Sequence, residues 1–159
     1  MPPCDVPAAD PTMVRVFIQN EAGTHRKHYH DEKTLELKRV VEVSKPYPFP
    51  YGFILDTTAD DGWNVDCYVL TDRRLRTGEI VECEPIGLME QVEDGHEDHN
   101  VLATLTGESR TVDVETQGIL AAFSLNVFAH VDGKRMQVGR FLGRAEAEAH
   151  ITSHRDRRR

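Results

Sequence analysis

The sequence predicts an α+β protein that is mainly β, in which a small barrel of short strands is covered by helices toward the C-terminus. The first two thirds of the chain holds short runs of β-branched and apolar residues bounded by glycine and proline turns. The last third changes to helical spacing. With 159 residues, 39% of them hydrophobic, the chain is long enough for one domain with its own core. Many short strands followed by helices are typical of a barrel with helices packed outside it.

Seven strands are predicted in order, over residues 13–18, 27–31, 35–43, 51–55, 65–70, 79–89 and 100–104. A turn at Gly23 separates the first two, and residues 76–78 form the turn before the sixth. Three prolines lie within residues 46–50. Proline lacks the backbone N–H that pairing with a neighbouring β-strand requires. That stretch is therefore predicted to be a rigid extended segment.

Two helices are predicted after the strands. Ile119, Leu120, Phe123 and Val127 fall on one helical stripe, which we expect to be buried. Residues 145–149 alternate alanine and glutamate, both strong helix formers.

The predicted domain organisation is simple. Residues 1–12 contain four of the eight prolines and are expected to be a disordered lead, without the apolar stretch of a secretory signal. Residues 13–152 form the single domain. Residues 153–159 form a basic tail, with arginines at positions 155, 157, 158 and 159 that we expect to be solvated.

The composition excludes some classes of function. No apolar run approaches the ~20 residues that a membrane helix needs, so no membrane partner is expected. The 19 Lys and Arg residues against 27 Asp and Glu give a net charge of -8, which makes nucleic acid an unfavourable partner. Cys4, Cys67 and Cys83 form no CxxC pair, and the last two lie in apolar runs. Buried free thiols and a cytoplasmic location are therefore expected, not a zinc site.

The acidic residues are concentrated. Residues 56–66 hold four acids and residues 79–98 hold eight, and neither window contains Lys or Arg. Glycine turns at Gly62 and Gly95 can fold neighbouring carboxylates toward each other. Converging carboxylates repel, and a hard divalent cation with oxygen ligands, Mg²⁺ or alternatively Mn²⁺, relieves that repulsion.

Simpler interpretations exist for the same residues. Two acidic hairpin turns are ordinary on a soluble acidic protein, and spacing alone favours that interpretation. An EF-hand is excluded because no glutamate occupies the closing position of the loop. His96 and His99 flank Asp98 and could suggest a transition-metal site. The simpler interpretation is that both histidines are exposed in a turn.

Four motifs in order carry a family resemblance: residues 47–54, the Asp61-Gly62-x-x-Val65-Asp66 segment, residues 85–89 and residues 95–98. Together they resemble the soluble family I inorganic pyrophosphatases, from about position 14 to 150. The resemblance implies an OB-like five-stranded β-barrel with flanking C-terminal helices. It also implies Mg²⁺-dependent hydrolysis of pyrophosphate, a small phosphate anion, to two phosphates by a metal-activated water. A cytoplasmic homo-oligomer is the expected form.

The resemblance also implies roles for individual residues. Asp61, Asp66 and Asp98 match the three aspartates that hold the family's tightest metal, with Asp61 and Asp66 placed at the catalytic centre. Glu93 stands where the family has an aspartate that binds further metals. The substrate-binding positions match Lys27, Arg39, Tyr51 and Tyr47, with Arg26 as the rival of Lys27.

Several positions depart from the family pattern. Trp63 occupies the place of an aspartate that helps to activate the attacking water, and it either covers the barrel mouth or stacks on something flatter than pyrophosphate. The other departures are Gln19, with Glu21 close by, Tyr29, Asn100, Val127 and Phe128. Two alternative hypotheses follow: a catalytically degraded fold that binds anions or metals in a binding or regulatory role, or a phosphohydrolase for another phosphoanhydride.

Overall fold

The computed structural model describes residues 13–157, so the predicted lead 1–12 and the last two arginines lie outside the described residues. Within that range, nine strands and two helices follow in this order: β1 Val14–Asn20, β2 Arg26–His30, β3 Leu37–Glu42, β4 Tyr51–Ile54, β5 Asp66–Val69, β6 Ile80–Glu93, β7 His96–Glu97, β8 Asn100–Leu105, α1 Val114–Asn126, β9 Met136–Leu142 and α2 Arg144–Ser153. Each of the seven predicted strands corresponds to one of these, with ends shifted by a few residues.

Five strands close into a ring. Strand β1 pairs with β4, β4 with β5, β5 with β8 and β8 with β6, and β6 returns to β1. The β5–β8 pair is parallel and the other four are antiparallel. Strand β6 has 14 residues, which lets it complete the ring and still pair with β7 and β9. The predicted mainly β fold with an OB-like five-stranded barrel is confirmed.

The two helices pack on two different groups of buried side chains. Helix α2 contributes Ala147 and Ile151 to the cluster that contains Val16, Ile18 and Val101. Helix α1 contributes Leu120, Phe123 and Val127 to a second cluster, which includes the buried tyrosines 47, 51 and 68. Both thiols described, at positions 67 and 83, are buried and unpaired, as predicted.

Part of the predicted helical stripe is wrong. Leu120, Phe123 and Val127 are buried, but Ile119 is 41% exposed. Residues 120, 123 and 127 lie within about 60° of one another around the helix axis, whereas residue 119 lies about 40° beyond Phe123, at the edge of that face. The buried stripe is therefore narrower than the sequence indicated.

Strand β9 was not predicted. It pairs antiparallel with the second half of β6, in a register that sets Val138 opposite Gln91. Its sequence places Gly139 and Arg140 in the centre, so the alternation that identifies a strand is lost. Gly139 leaves room for the Glu90 side chain, which would lie 3.1 Å from an added Cβ, and Arg140 forms an ion pair with Glu90.

The backbone at the start of the predicted basic tail is docked, while the side chains of Arg155 and Arg157 are exposed, as expected. Arg155 forms a β-bridge with Thr57, and the Thr58 N–H donates to the His154 carbonyl at 2.8 Å. The Asp156 N–H donates to the Asp56 carbonyl at 2.9 Å. The chain after α2 therefore braces the loop between β4 and β5.

Among the described residues, no helix is long and apolar enough to cross a membrane.

Candidate active site

A cavity of about 580 Å³ opens beside the barrel, and it collects all of the site residues predicted from the sequence. The predicted acidic members come from the β4–β5 loop, from β5, from the end of β6 and from the connection between β7 and β8. The basic and aromatic members come from the β2–β3 hairpin and from the segment leading into β4. The predicted residues lining the cavity are Lys27, Arg39, Tyr47, Tyr51, Asp61, Asp66, Glu93 and Asp98. Arg26, the rival of Lys27, is exposed and does not line it.

The parallel pairing of β5 with β8 brings Asp66 and Asp98 together. Asp66 pairs with Asn100 at the start of the two strands, so Asp98, two residues earlier, lies beside it. The two carboxyl groups are hydrogen-bonded to each other. Burial, the charge of Asp98 and this hydrogen bond raise the pKa of Asp66 well above its usual range, while Lys27 acts in the opposite direction. The raised pKa favours the protonated form of Asp66, because two neighbouring charged carboxylates would repel.

Asp61 is held at the cavity by a tight loop. Its Oδ1 accepts from the Trp63 N–H at 2.9 Å, and the Gly62 N–H donates to the Ala59 carbonyl at 2.9 Å. Gly62 has a φ of 87°, a conformation that glycine adopts at little cost. The exposed carboxylate of Asp61 therefore lies at the mouth, with Asp66 deeper in the cavity.

The chemistry of these three aspartates fits a hard divalent cation. Within residues 13–157, none of the salt bridges involves Asp61, Asp66 or Asp98. The donors are all carboxylate oxygens, which Mg²⁺ prefers. No described group of three or more acidic, histidine or cysteine side chains forms a ready-made cage for an ion.

Glu93 has a basic partner that the sequence analysis missed. Its carboxylate forms an ion pair with Lys134, whose Nζ also lies 3.6 Å from Asp94 and 4.9 Å from the centre of the Phe128 ring. Lys134 follows a glycine turn before the unpredicted strand β9, so nothing in the sequence marked it as a site residue. The metal-binding role of Glu93 stays a prediction, and the ion pair with Lys134 uses its Oε1.

Lys27 is surrounded by tyrosines. Its Nζ lies 4.9 Å from the centre of the Tyr51 ring and 5.1 Å from that of Tyr29, and it is hydrogen-bonded to Tyr47. Burial by itself lowers the pKa of Lys27. Interactions with Tyr47, Tyr29 and Asp66 together raise that pKa by more than burial lowers it, so the net shift is upward. The ammonium group is therefore charged at neutral pH and available to a phosphate oxygen.

Arg39 lies on the rim. It stands opposite Tyr29 in the β2–β3 pairing, and its guanidinium carbon lies 4.5 Å from the centre of the Tyr29 ring. The side chain is exposed, so its donors remain accessible to an anion.

The positions that depart from the family pattern also line this cavity. Trp63 is 51% exposed there, and Asn100 is buried with an Oδ1 that accepts no hydrogen bond from the described residues. Gln19 lines the cavity, whereas Glu21 lies at a separate depression, so Gln19 is the residue at the site. Val127 and Phe128 add apolar surface to the lining.

The interpretation of two exposed turn histidines is only half right. His96 is exposed, but the His99 side chain is 14% exposed and its ring packs 5.7 Å from that of His150. The Gln91 N–H donates to Nδ1 of His99 at 3.1 Å, which uses the lone pair of that nitrogen. In the neutral ring the other nitrogen then carries the hydrogen, so His99 anchors the turn beside Asp98 and is not arranged as a metal ligand.

With the geometry described, the comparisons with known proteins decide the family. A family model described as "Pyrophosphatase: Inorganic pyrophosphatase" matches residues 16–158. The chain belongs to the inorganic pyrophosphatase family.

Two curated family relatives and one solved structure illustrate the similarity. An inorganic pyrophosphatase of Halalkalibacterium halodurans is 28% identical over 153 residues, which cover 91% of this chain and 93% of the relative. An inorganic pyrophosphatase of Synechocystis is 32% identical over 119 residues, which cover 74% of this chain and 70% of the relative. A crystal structure described as an inorganic phosphatase of Anaplasma phagocytophilum superimposes with a TM-score of 0.83 at 26% identity, covering 92% of this chain and 94% of that one.

Proposed function

We propose that this protein hydrolyses inorganic pyrophosphate to two phosphates with Mg²⁺, or alternatively Mn²⁺, held by Asp61, Asp66 and Asp98. The observation that carries the proposal is one cavity that combines Asp61, Asp66 and Asp98, which have no salt-bridge partner within residues 13–157, with the cations Lys27 and Arg39. A phosphoanhydride is a dense anion, and it needs both metal and basic side chains to neutralise its oxygens. The relatives named as inorganic pyrophosphatases support the same reaction and substrate.

In the reaction, a water oxygen bonds to one phosphorus as the bond from that phosphorus to the bridging oxygen breaks. The bridging oxygen leaves with the second phosphate, and the protons of the water pass to the two phosphate products or to solvent. Bound Mg²⁺ supplies neutralisation of phosphate charge and a water of lowered pKa. Lys27 and Arg39 bind the oxygens of the anion and stabilise the charge that develops on the leaving phosphate. Asp66, beside both Asp98 and Lys27, orients the attacking water.

The two cavity tyrosines act as donors. Tyr47 and Tyr51 are buried, and burial raises the pKa of both phenols above the ordinary value. Their hydroxyl groups therefore keep their protons at neutral pH and donate hydrogen bonds to the substrate, without adding negative charge to the site.

The test is phosphate release from pyrophosphate and from a panel of nucleoside triphosphates and polyphosphates. Each substrate is assayed with Mg²⁺, Mn²⁺ and Zn²⁺, with Asp66→Asn as the background. Release from pyrophosphate well above that background is expected. If release never exceeds the background with any of the three ions, the proposal is wrong, and faster release from another substrate would assign a different phosphoanhydride.

A second candidate is an anion-binding or metal-binding regulatory protein without turnover. Trp63, Val127 and Phe128 in the lining favour it, because they are not proton-transfer groups and do not neutralise phosphate charge. Calorimetry with pyrophosphate separates the two candidates. Tight binding without phosphate release supports the regulatory candidate, whereas turnover at ordinary enzyme rates eliminates it.

We also propose a cytoplasmic location and a homo-oligomeric state. The two buried free thiols suit a reducing compartment.

Helix α1 carries exposed apolar residues at both ends, with Val114 83% and Leu125 51% exposed, which suits an interface between copies of the chain. Light scattering after size-exclusion chromatography tests the oligomer, and a monomer at micromolar concentration would contradict it.

A further inference from the structure

The β2–β3 hairpin has an ordered tip that carries Glu32. Asp31 Oδ1 accepts from the N–H groups of Lys33 at 2.9 Å and Thr34 at 3.0 Å. The Leu35 N–H donates to the Asp31 carbonyl at 2.7 Å. These bonds fix the backbone on both sides of Glu32, so the position of its side chain is determined by the turn.

The hairpin tip is fastened to the loop that carries Asp61. Lys33 Nζ donates to the Thr57 carbonyl and to Thr58 Oγ1, each at 2.8 Å. The Asn64 N–H donates to Oε1 of Glu32 at 2.9 Å. Asn64 lies between Asp61 and Asp66 in sequence, so this bond holds the Glu32 carboxylate against the segment that presents both aspartates.

Glu32 shares the cavity and the electrostatics of the aspartates. Its side chain lines the cavity together with Asp61, Asp66 and Trp63. Its carboxylate also interacts electrostatically with the charges of Lys27 and Asp61. Within residues 13–157, the hydrogen bond that Glu32 accepts uses Oε1 alone, which leaves Oε2 for a partner in the cavity.

We propose that Glu32 is a further carboxylate ligand of the divalent ion at Asp61 and Asp66. It supplies a fourth negative group at the rim where the neighbouring side chain, Trp63, is uncharged. The inference rests on the proposed function in that it concerns the same metal site. Metal binding is measured without turnover, however, so the two proposals fail separately.

The test is titration calorimetry of the full chain with Mg²⁺ and Mn²⁺ at pH 8, comparing Glu32→Gln with the native protein. Glutamine keeps an oxygen that accepts from the Asn64 N–H, so the loop is retained and only the charge is lost. The affinity for the ion is expected to fall at least roughly tenfold, because even outer-shell partners of metal ligands contribute 10–100-fold.

The matched control is Glu36→Gln on the same hairpin. The Glu36 side chain is 69% exposed and pairs with Lys38, and it does not line the cavity. This variant should bind both ions within about twofold of the native protein.

A Glu32→Gln affinity equal to that of the native protein would overturn the proposal and leave Glu32 only the structural role of holding Asn64. Native protein that binds neither ion would overturn it as well. Native protein that binds Mg²⁺ in a Glu32-dependent manner but releases no phosphate would refute only the hydrolysis.

Discussion

Binding of Mg²⁺ should release a proton, because the raised pKa of Asp66 favours a protonated Asp66–Asp98 pair in the ion-free protein. The pKa of Asp66 is raised by burial, by the charge of Asp98 and by the hydrogen bond between the two carboxyl groups. A cation must replace that proton to bind both oxygens. The perturbation is therefore the addition of Mg²⁺ at pH 6, where we expect Asp66 to hold its proton.

The magnitude follows from the geometry. One shared hydrogen bond corresponds to about one proton from this pair per ion bound. The apparent affinity for Mg²⁺ should then fall roughly tenfold for each unit of acidification below the raised pKa, about 1.36 kcal/mol. The sign for folding is opposite, because acidification favours the folded ion-free protein. In the ion-free protein, Asp66 contributes stability that is fully present below its unfolded pKa and is lost as the pH rises through its raised folded pKa.

The assay is calorimetry in two buffers of different ionisation enthalpy, from which the number of protons released is obtained. Glu32 has a pKa of about 7 and can release a second proton at pH 6, so Asp66→Asn at saturating Mg²⁺ provides the comparison. That variant should release about one proton fewer than the native protein. A binding enthalpy independent of the buffer in the native protein would refute the shared proton.

Three further outcomes are expected. Gly52→Ala should lower the free energy of unfolding, measured in urea, by more than about 3 kcal/mol. The added Cβ would lie 1.8 Å from the Phe17 carbonyl oxygen across the β1–β4 pair. A loss below about 1 kcal/mol would contradict that packing. Lys27→Met should raise KM for pyrophosphate at least roughly tenfold, because it removes a buried cation from the cavity, whereas exposed Arg26→Met should leave KM unchanged. Trp63→Asp should raise kcat roughly tenfold or more, because it places a carboxylate at the mouth of the cavity. The melting temperature should change little, since Trp63 is half exposed. An unchanged or lower kcat would exclude a role for a carboxylate at position 63 in activating the water.

The sequence was sufficient for the barrel because its strands are marked locally. β-Branched runs and glycine turns define β1, β4, β5 and β8 without reference to the rest of the chain. Strand β9 lacks that signal, because its pairing with β6 is completed by a glycine and an ion pair rather than by alternating apolar side chains. Tertiary pairing, not local preference, determines it.

The same distinction applies to the site. The predicted aspartates and substrate-binding residues lie in recognisable motifs, and the structure places all of them at one cavity. Glu32 and Lys134 reach that cavity only because a hairpin tip docks on the Asp61 loop and an unpredicted strand follows Lys134. His99 likewise became a buried anchor through its contact with His150 of α2, which sequence spacing cannot show.

Phosphate release from pyrophosphate, measured against rising Mg²⁺ for the native protein and Asp66→Asn, tests the central claim most directly. We predict no release without a divalent ion, saturable release with it, and a loss of at least roughly a hundredfold in kcat/KM for the variant. Equal rates for the two proteins, or release that needs no divalent ion, would contradict the assignment of Asp61, Asp66 and Asp98 as the metal site of a pyrophosphate hydrolase.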